Sequence, residues 1–246
     1  MRILIVEDEE AMANGLKFNF EQEGYEVVTE EDGPSALRHF EPDKFSSEPC
    51  DLVILDLMLP GMSGYETCRA IRELDDHIPI LVLSARTLAE DKTQAFDCGS
   101  DQYMTKPFAL PELLSRVRNL LDRRSRVANT TAKTNKVLDV YRFDNVRVDF
   151  TKFEVTVEGE TRSLTTMETQ LLRYFVENEG VVLSRSQILE DVWGETADIT
   201  TRSIDNFVLR LRKLIEANPA EPRRILSVRG TGYRFVIARD DATLGQ

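Results

Sequence analysis

Cysteine and histidine are scarce in this chain of 246 residues, which holds three cysteines and two histidines. Thiols at positions 50, 68 and 98 cannot form a closed set of disulfide bonds. Together with His39 and His77 they give no spacing typical of a zinc site. We therefore expect reduced cysteines and no zinc centre.

Long apolar runs are also missing. No stretch approaches the roughly 18 apolar residues that a membrane-spanning helix needs. The apolar run at residues 3–6 is followed at once by four acidic residues, a pattern that no secretory signal tolerates. A glycine-rich phosphate loop is absent from the sequence, which argues against nucleotide hydrolysis. We expect a cytoplasmic protein with no membrane contact.

One segment has a composition unlike the rest. Residues 125–138 contain no acidic side chain, no aromatic one and few large apolar ones, as is typical of a flexible linker. The net charge of −12 is unevenly divided around it: residues 1–124 hold 25 acidic and 13 basic side chains, against 18 and 15 in residues 139–246. We predict a domain at 1–124, a linker at 125–138 and a second domain at 139–240.

Short apolar runs alternate with helix-patterned stretches in the first domain. The candidate strands are 3–6, 26–29, 52–55, 80–84 and 102–105, and the candidate helices are 10–23, 33–40, 64–75, 87–98 and 110–122. Parallel strands joined by right-handed helical crossovers build a doubly wound α/β fold, here with a five-stranded sheet. Ligands in such sheets lie beyond the carboxyl ends of the strands.

Charged side chains follow three of these strands and would meet at that edge. Glu7 and Asp8 follow the first strand, Asp56 follows the third, and Lys106 follows the fifth. Converging carboxylates repel one another unless a divalent cation neutralises them, and carboxylates are ligands that Mg²⁺ prefers. Asp56 would then accept a phosphoryl group as an aspartyl phosphate, with Lys106 and the hydroxyl of Ser84 binding phosphoryl oxygens.

Each of these residues alone has an ordinary structural explanation, since an Asp after a strand is usually a turn or capping residue. Their combination favours a phosphorylation site. The alternative is a metal-dependent phosphohydrolase with an aspartyl-phosphate intermediate. Such enzymes often carry a second acid two residues after the nucleophile, and Met58 stands there in this chain. We therefore expect a site that retains its phosphate, not an enzyme.

The first domain resembles the receiver domain of two-component response regulators over residues 1 to about 123. The matching motifs are Ile3-Leu4-Ile5-Val6-Glu7-Asp8-Glu9, Leu55-Asp56-Leu57-Met58-Leu59-Pro60-Gly61, Ser84-Ala85-Arg86 and Tyr103-Met104-Thr105-Lys106-Pro107-Phe108. The resemblance implies that a histidine kinase phosphorylates Asp56 and that Ser84 and Tyr103 form a switch pair. It also implies a Mg²⁺ site made of Asp8, Asp56 and the Met58 carbonyl, with Glu7 just outside.

The same resemblance implies a two-fold dimer of receivers. The residues that match the family's intermolecular salt bridges are Lys92, Asp101, Gln102, Glu112, Arg116 and Arg123. The family usually has Asp where this chain has Gln102, so the ion pairs expected across the dimer are Lys92–Glu112 and Asp101–Arg123. The alternative is a solvated helical face, on which an exposed pair contributes only ~0–1 kcal/mol.

The second domain begins with alternating segments at 146–150, 153–157 and 161–164, which predict short antiparallel strands. Capping boxes formed by Thr165 with Glu168 and by Ser184 with Gln187 predict helix starts near 166 and 185. A third helix at 200–216 and a glycine-containing hairpin at 229–234 complete the α+β pattern.

Basic residues concentrate on this third helix and the hairpin, where residues 202–234 hold eight basic side chains and three acidic ones. Arg and Asn can read purine edges in the major groove, and a hairpin flanked by Arg suits phosphate or minor-groove contact. The predicted DNA-binding residues are Thr201, Arg202, Asn206, Arg210, Arg212, Lys213, Arg229, Thr231 and Arg234. The alternatives are an ordinary exposed amphipathic helix and a pure protein-interaction module.

This domain resembles the winged helix-turn-helix output domain of the OmpR/PhoB response regulators over about 141 to 238. The matching segments are Val192-Trp193-Gly194, residues 208–213 and residues 228–235. The resemblance implies that helix 200–216 enters the major groove, that the hairpin is the wing, and that the 194–200 loop faces RNA polymerase. We expect a transcription regulator in which phosphorylation promotes dimerisation and binding to two tandem half-sites, ~10–11 bp apart.

Overall fold

The computed structural model describes residues 1–41, 49–129, 140–194 and 201–237, without the side chains of 123–129, 201 and 202. The chain forms two compact units, Met1–Lys133 and Thr134–Gln246. Within the described residues no helix is long and apolar enough to cross a membrane.

The first unit is a parallel sheet with helices between its strands. Its strands are β1 (Arg2–Val6), β2 (Glu26–Glu30), β3 (Leu52–Asp56), β4 (Ile80–Ser84) and β5 (Gln102–Thr105). Its helices are α1 (Glu10–Gln22), α2 (Gly33–Leu37, continued by a 3₁₀ turn at Arg38–Phe40), α3 (Gly64–Leu74), α4 (Ala89–Asp97) and α5 (Leu110–Asn129). The strand order β2-β1-β3-β4-β5, with every pair parallel, confirms the predicted doubly wound fold.

The strand order explains where a site forms. The chain leaves β1 toward β2 on one side and later returns to β3 on the other, so a crevice opens at the carboxyl ends of β1 and β3. Strands β3 and β4 are buried along their whole length, as expected for strands covered by helices on both faces. The polar residues at their carboxyl ends are therefore the ones that face this crevice.

Helix α3 starts directly against Asp56. Ser63 and Glu66 form a capping box, in which the Ser63 hydroxyl accepts from the Glu66 N–H and the Glu66 carboxylate accepts from the Ser63 N–H. Gly64 opens the helix, and a Cβ there would lie 2.1 Å from the carbonyl oxygen of Asp56. Only glycine allows this approach of helix and strand.

Helix α5 is longer than the predicted 110–122. It runs to Asn129, so the first five residues of the predicted linker are helical. Residues 123–129 contain neither Pro nor Gly, which leaves no local signal to end the helix. Residues 130–138, the rest of the predicted linker, lie outside the described residues.

The described part of the second unit has two antiparallel sheets and three helices. The strands are β6 (Val140–Phe143), β7 (Val146–Asp149), β8 (Glu154–Val157), β9 (Glu160–Ser163), β10 (Val182–Ser184), β11 (Ile225–Val228) and β12 (Gly232–Phe235). The helices are α6 (Thr166–Glu177), α7 (Arg185–Ile188, continued by a π-helical turn at Leu189–Trp193) and α8 (Thr201–Ile215). The sheets have the orders β6-β7-β8-β9 and β10-β12-β11.

Both predicted helix starts are confirmed, since the capping boxes at Thr165 and Ser184 form as expected. The sequence predicted three strands before the first helix of this unit, and a hairpin near its end. The structure adds two strands that were not predicted, β6 and β10. β10 has three residues and exists through its pairing with β12, about 50 positions later in the chain. A partner so distant leaves no local pattern in the sequence.

Candidate functional site

Three carboxylates meet in the crevice of the first unit. Glu7, Asp8 and Asp56 each place a carboxylate oxygen within 4.8 Å of the other two. Glu7 and Asp56 are 4% and 5% exposed, whereas Asp8 is open to solvent. The structure thus brings together the acidic residues that follow β1 and β3 in the sequence.

Lys106 lies in the middle of this cluster. Its ammonium donates to Glu7 Oε2 and to Asp56 Oδ2, at 2.6 Å in each case. The second oxygen of Asp56 accepts the main-chain N–H of Met58 at 2.9 Å. The Lys106–Pro107 peptide bond is cis. Asp56 is therefore held by donors on both of its oxygens.

The environment shifts the titration of this cluster. Burial, helped by the charge of Asp56, raises the pKa of Glu7 above its ordinary value, and Lys106 offsets this only in part. Burial alone would lower the pKa of Lys106, but its hydrogen bonds to Asp56 and Glu7 raise it. Lys106 is thus a permanent cation between the two buried carboxylates at neutral pH.

The cluster has the chemistry of a site for a hard cation. With every group ionised, three carboxylates and one ammonium leave a formal charge of −2. Each carboxylate oxygen has a second lone pair beyond the hydrogen bonds already described, so Asp56 can still act as a ligand. Oxygen ligands of this kind suit Mg²⁺ or Ca²⁺ and not a soft metal.

Ser84 and Tyr103 both contact the main chain of Arg86. The fully buried Ser84 hydroxyl accepts the Arg86 N–H at 3.2 Å, and the hydroxyl of Tyr103 donates to the Arg86 carbonyl at 2.7 Å. The ring of Tyr103 is fully buried, and burial raises its pKa. The loop after β4 is therefore tied at one residue to both members of the expected switch pair.

The side chain of Arg86 adds a contact that the sequence alone did not reveal. Its guanidinium pairs with Asp91 at 2.8 Å, lies 3.2 Å from the sulfur of Met58 and stacks 5.8 Å above the Tyr65 ring. Arg86 thereby joins the loop after β3, which carries Met58, to helix α4. Its place two residues after Ser84 in the sequence gave no sign of these partners.

The expected dimer face is mostly turned inward. Asp101 is fully buried, and its carboxylate pairs with Arg72 at 2.8 Å and accepts the Ile80 N–H at 2.9 Å. Gln102 and Arg116 are also buried. In this conformation Asp101 has no surface to offer to Arg123 of a second receiver, and the Arg123 side chain lies outside the described residues.

Two dimer-face residues reach the surface. Glu112 and Lys92 are half-buried. Glu112 pairs with Arg116 one turn along α5 at 2.6 Å, and the Lys92 ammonium lies 5.7 Å above the Tyr103 ring. The predicted pair Lys92–Glu112 is thus the one that fits a surface contact.

In the second unit, two arginines of α8 that were predicted to bind DNA have hydrogen-bonding partners within the protein. Arg210 pairs with Glu168 of α6 at 2.7 Å. Arg212 donates two hydrogen bonds to the Ile225 carbonyl, at 3.0 and 2.6 Å, and one to the Ser227 hydroxyl. Both side chains serve contacts between elements, with partners 42 and 13 positions away in the sequence, and their contact with DNA stays a prediction.

The remaining predicted residues divide by exposure. The exposed ones are Lys213, Arg229, Thr231 and Arg234, and Asn206 is half-buried. The side chains of Thr201 and Arg202 lie outside the described residues. Leu209 is 44% exposed beside them on α8. Among the predicted residues, the solvent-facing positive charge therefore lies at the end of α8 and on the hairpin.

The hairpin between β11 and β12 is a tight turn. The Thr231 N–H donates to the Val228 carbonyl at 3.0 Å, and Gly230 has φ +75°, a backbone conformation that favours glycine. A Cβ on Gly232 would lie 2.0 Å from the Leu183 carbonyl oxygen, so glycine is needed where β12 pairs with β10. The turn holds Arg229 and Thr231 at its tip.

A polar cluster joins α7, α8 and β12. Asp205 accepts from Arg185 at 2.9 Å and from the Tyr233 hydroxyl at 2.6 Å, and the Arg185 guanidinium lies 4.8 Å from the centre of the Tyr233 ring. Burial and these hydrogen bonds raise the pKa of Tyr233 to about 12. Tyr233, a residue of the motif at 228–235, therefore has a structural role: it holds β12 against α8 through Asp205.

Comparison with known proteins finds the same two domains in the same order. Residues 3–118 match the response regulator receiver domain, and residues 159–235 match the family described as transcriptional regulatory protein, C terminal. Sensory transduction protein RegX3 of Mycolicibacterium smegmatis is 40% identical over 233 residues, which cover 95% of this chain and 98% of RegX3.

Two further likenesses agree. The alkaline phosphatase synthesis transcriptional regulatory protein SphR of Synechococcus elongatus is 38% identical over 238 residues, covering 95% of this chain and 90% of SphR. Among solved structures, a RitR mutant is similar with a TM-score of 0.70 at 25% identity, covering 95% of this chain and 98% of that chain. Since the likeness extends over both domains and nearly the full length of these relatives, this chain belongs to the OmpR/PhoB family of two-component response regulators.

Proposed function

We propose that a histidine kinase phosphorylates Asp56 in a Mg²⁺-dependent step, and that this phosphorylation controls DNA binding by the winged-helix unit and hence transcription. The observation that carries the proposal is the Asp56 carboxylate, held between the Lys106 ammonium and the Met58 N–H in an acidic crevice. A carboxylate in that setting is a nucleophile with donors already in place for an incoming phosphoryl group.

The transfer is a displacement at phosphorus. A carboxylate oxygen of Asp56 attacks the phosphorus of a phosphohistidine, the P–N bond breaks, and the imidazole nitrogen leaves with the electron pair. Lys106 then pairs with a phosphoryl oxygen, which replaces part of its contact with Asp56. Asp8, Asp56 and the Met58 carbonyl, with Glu7 just outside, would hold Mg²⁺, which would neutralise charge on the transferred group.

Retention of the phosphate fits the surroundings of Asp56 better than rapid hydrolysis. Met58, two residues on, is 53% exposed and contacts Arg86 through its sulfur. A thioether neither donates nor accepts the proton that hydrolytic water must lose. This supports a regulator in preference to a phosphohydrolase.

Ser84 and Tyr103 would transmit the phosphorylation state. If the Ser84 hydroxyl turns to donate to a phosphoryl oxygen, its contact with the Arg86 N–H is altered and the main chain at Arg86 shifts. The Tyr103 hydroxyl, which is bound to the Arg86 carbonyl, would then shift as well. The surface next to Tyr103 includes Lys92, which lies above its ring. A local change at the phosphate would thus reach the face proposed for dimerisation.

Receiver dimerisation would then pair two DNA-reading units. Lys92 and Glu112 are the dimer-face residues that reach the surface and could exchange their present contacts for an intermolecular ion pair, whereas Asp101, Gln102 and Arg116 would have to leave their buried positions. Two linked readers on tandem half-sites ~10–11 bp apart bind more tightly than one, because the second contact becomes intramolecular. The acidic receiver, with 25 acidic and 13 basic side chains in residues 1–124, repels phosphates and disfavours binding by a lone chain.

DNA would meet the exposed polar residues of α8 and the hairpin. Lys213, Arg229 and Arg234 supply the positive charge, and Asn206 and Thr231 supply hydrogen-bonding groups. The 194–200 loop, proposed to face RNA polymerase, falls mainly outside the described residues.

The test is selection of DNA from a random-sequence library by the intact protein, with and without Mg²⁺ and a small phosphodonor. We expect enrichment of a repeated motif by the phosphorylated wild type and its loss in Asp56→Asn. Asp97→Asn, an exposed carboxylate at the end of α4, is the matched control and should behave as wild type. Equal enrichment in all samples would contradict phosphorylation control, and no enrichment would contradict DNA reading.

A further inference from the structure

Glu216, immediately after α8, holds the loop that leads to the wing. Its carboxylate is buried and accepts three consecutive main-chain N–H groups: Oε2 from Arg223 at 3.1 Å, and Oε1 from Arg224 at 2.8 Å and from Ile225 at 2.9 Å. Hydrogen bonds to an ionised acceptor are stronger than neutral ones, and three on one carboxylate fix the main chain closely.

Arg212 holds the next part of the same segment. Its guanidinium binds the Ile225 carbonyl through two nitrogens and the Ser227 hydroxyl at 3.0 Å. The N–H and the C=O of Ile225 are therefore both taken by side chains of the α8 region, one by Glu216 and one by Arg212. The position of β11 relative to α8 is therefore set at Ile225, the first residue of the strand.

The two side chains form one clamp because they lie one helical turn apart. Residues at i and i+4 share a face of a helix, so Arg212 and Glu216 reach the same strand from the same side. Strand β11 then leads directly into the turn that carries Arg229 and Thr231. Leu209 and Lys213, on the same stretch of α8, are exposed to solvent.

Arg224 secures the same loop from the other direction. Its guanidinium pairs with Asp144 at 3.0 Å, donates to Asn145 at 2.9 Å and binds the Ile215 carbonyl at the end of α8. The turn between β6 and β7, the end of α8 and the start of β11 are thus joined around one segment, which leaves the clamp little freedom to shift.

We propose that Arg212 and Glu216 are positioning residues that fix the wing to α8, so that the hairpin and the helix engage DNA as one rigid reader. The proposal rests on the proposed function, because it assigns these residues a part in DNA binding without contact to DNA. A reader that touches two places on a duplex binds best when their separation is set beforehand, since ordering during binding costs free energy.

Rigidity can be measured without DNA. Spin labels placed through Leu209→Cys and Thr231→Cys report the distance between α8 and the wing tip in the intact chain, whose three native cysteines are buried. We expect a narrow distribution of distances in otherwise wild-type protein and a broader one with Glu216→Gln or Arg212→Lys. Gln replaces one acceptor oxygen by an NH₂ group, and Lys has a compact ammonium in place of the planar fork.

Matched controls lie in the same loop. Glu221→Gln and Arg223→Lys change exposed side chains of the same types and should leave the distribution narrow. The two clamp variants are independent of each other, so loss of folding in one, seen by circular dichroism, leaves the other to decide. Unchanged distances in a folded clamp variant would overturn the proposal.

DNA binding gives the second readout. In the wild type we expect Arg229→Ala to weaken binding to the selected DNA by roughly fivefold or more, and to reduce the salt dependence by about 0.9 in log–log slope. In the Glu216→Gln background the same substitution should cost less than about twofold, because the wing no longer holds its place. A merely destabilising role for Glu216 would leave the effect of Arg229→Ala unchanged.

The outcomes separate the two proposals. Equal effects of Arg229→Ala in both backgrounds, or none in the wild type, would overturn the positioning role while DNA binding stands. Absence of DNA binding by the wild type would overturn the proposed function and with it the part assigned to the clamp in binding, whereas the label distances still test whether the clamp fixes the wing.

Discussion

Arg72 of α3 and Asp101 at the start of β5 form an ion pair of 2.8 Å that is closed off from solvent on the Asp101 side. Arg72 also donates to the carbonyl oxygens of Gly99 and Ile78, so one guanidinium closes the edge of the receiver between α3, β4 and β5. The family resemblance had assigned Asp101 to a dimer contact. Here its charge belongs to the interior of one receiver.

Arg72→Ala should destabilise the receiver by about 3–5 kcal/mol, because it leaves a buried carboxylate without its partner. Chemical denaturation of the intact chain, followed by circular dichroism, measures this cost. Arg69→Ala removes an exposed arginine from the same helix and should change the free energy of unfolding by less than ~0.5 kcal/mol. Similar costs for the two variants would show that the Asp101 pair is not a structural contact.

Lys106→Ala should separate metal binding from switching. Removing a cation from three carboxylates strengthens the attraction for Mg²⁺, by roughly 1 kcal/mol for unit charges ~4 Å apart in water. Titration calorimetry should therefore show Mg²⁺ bound roughly fivefold more tightly or better, while the phosphodonor no longer increases DNA binding. Lys17→Ala, on α1, is the control, and weaker Mg²⁺ binding by Lys106→Ala would refute the account.

Arg210→Ala should change the stability of the winged-helix unit, whereas Lys213→Ala should change its DNA binding. Arg210 pairs with the buried Glu168, so its loss should reduce the free energy of unfolding by roughly 1–3 kcal/mol. Lys213 is exposed, so its loss should leave stability within ~0.5 kcal/mol and lower the log–log salt slope of DNA binding by about 0.9. If Arg210→Ala changed the salt slope and not stability, Arg210 would be a DNA contact after all.

Tyr233 should make the winged-helix unit sensitive to alkali. Its pKa is raised from 10.0 to about 12 by burial and the hydrogen bond to Asp205. Below pH 10 Tyr233 is neutral in both states, and its contribution to the stability of the fold is fully present. This contribution is lost as the pH rises from about 10 to 12, because Tyr233 ionises in the unfolded chain at a lower pH than in the folded one.

The measurement is the free energy of unfolding across this pH range, together with the phenolate absorbance of the folded protein. Tyr233→Phe should remove this part of the pH dependence, and Asp205→Asn should move the Tyr233 titration toward pH 10. An unchanged profile in Tyr233→Phe would assign the alkaline loss to other groups.

Much of the architecture follows from local patterns. Alternation of apolar runs and helix-patterned stretches predicted all five receiver strands within about a residue, because each pattern is satisfied by neighbours in the chain. Capping boxes predicted where α6 and α7 begin for the same reason. The convergence of Glu7, Asp8, Asp56 and Lys106 followed from parallel topology, which puts the carboxyl ends of strands on one edge.

Local patterns failed at three places. Strand β10 needs β12, a partner about 50 positions later in the chain. Strand β6 has a near partner, β7 across the tight turn at Asp144, but its short segment of mixed composition shows no strand pattern of its own. The end of α5 was placed too early because a polar, acid-free composition was taken as a linker, although nothing in residues 123–129 breaks a helix.

The sequence by itself determined the two-domain plan, the types of most elements and the edge at which the acidic cluster forms, since these depend on neighbours and on strand direction. Only the tertiary structure decided which charges face solvent and which tie elements together. Asp101, Arg210, Arg212 and Glu216 read as surface charges in the chain, yet each meets a partner on another element. A charged side chain looks the same in a sequence whether its counterpart is water, DNA or a buried group brought close by folding.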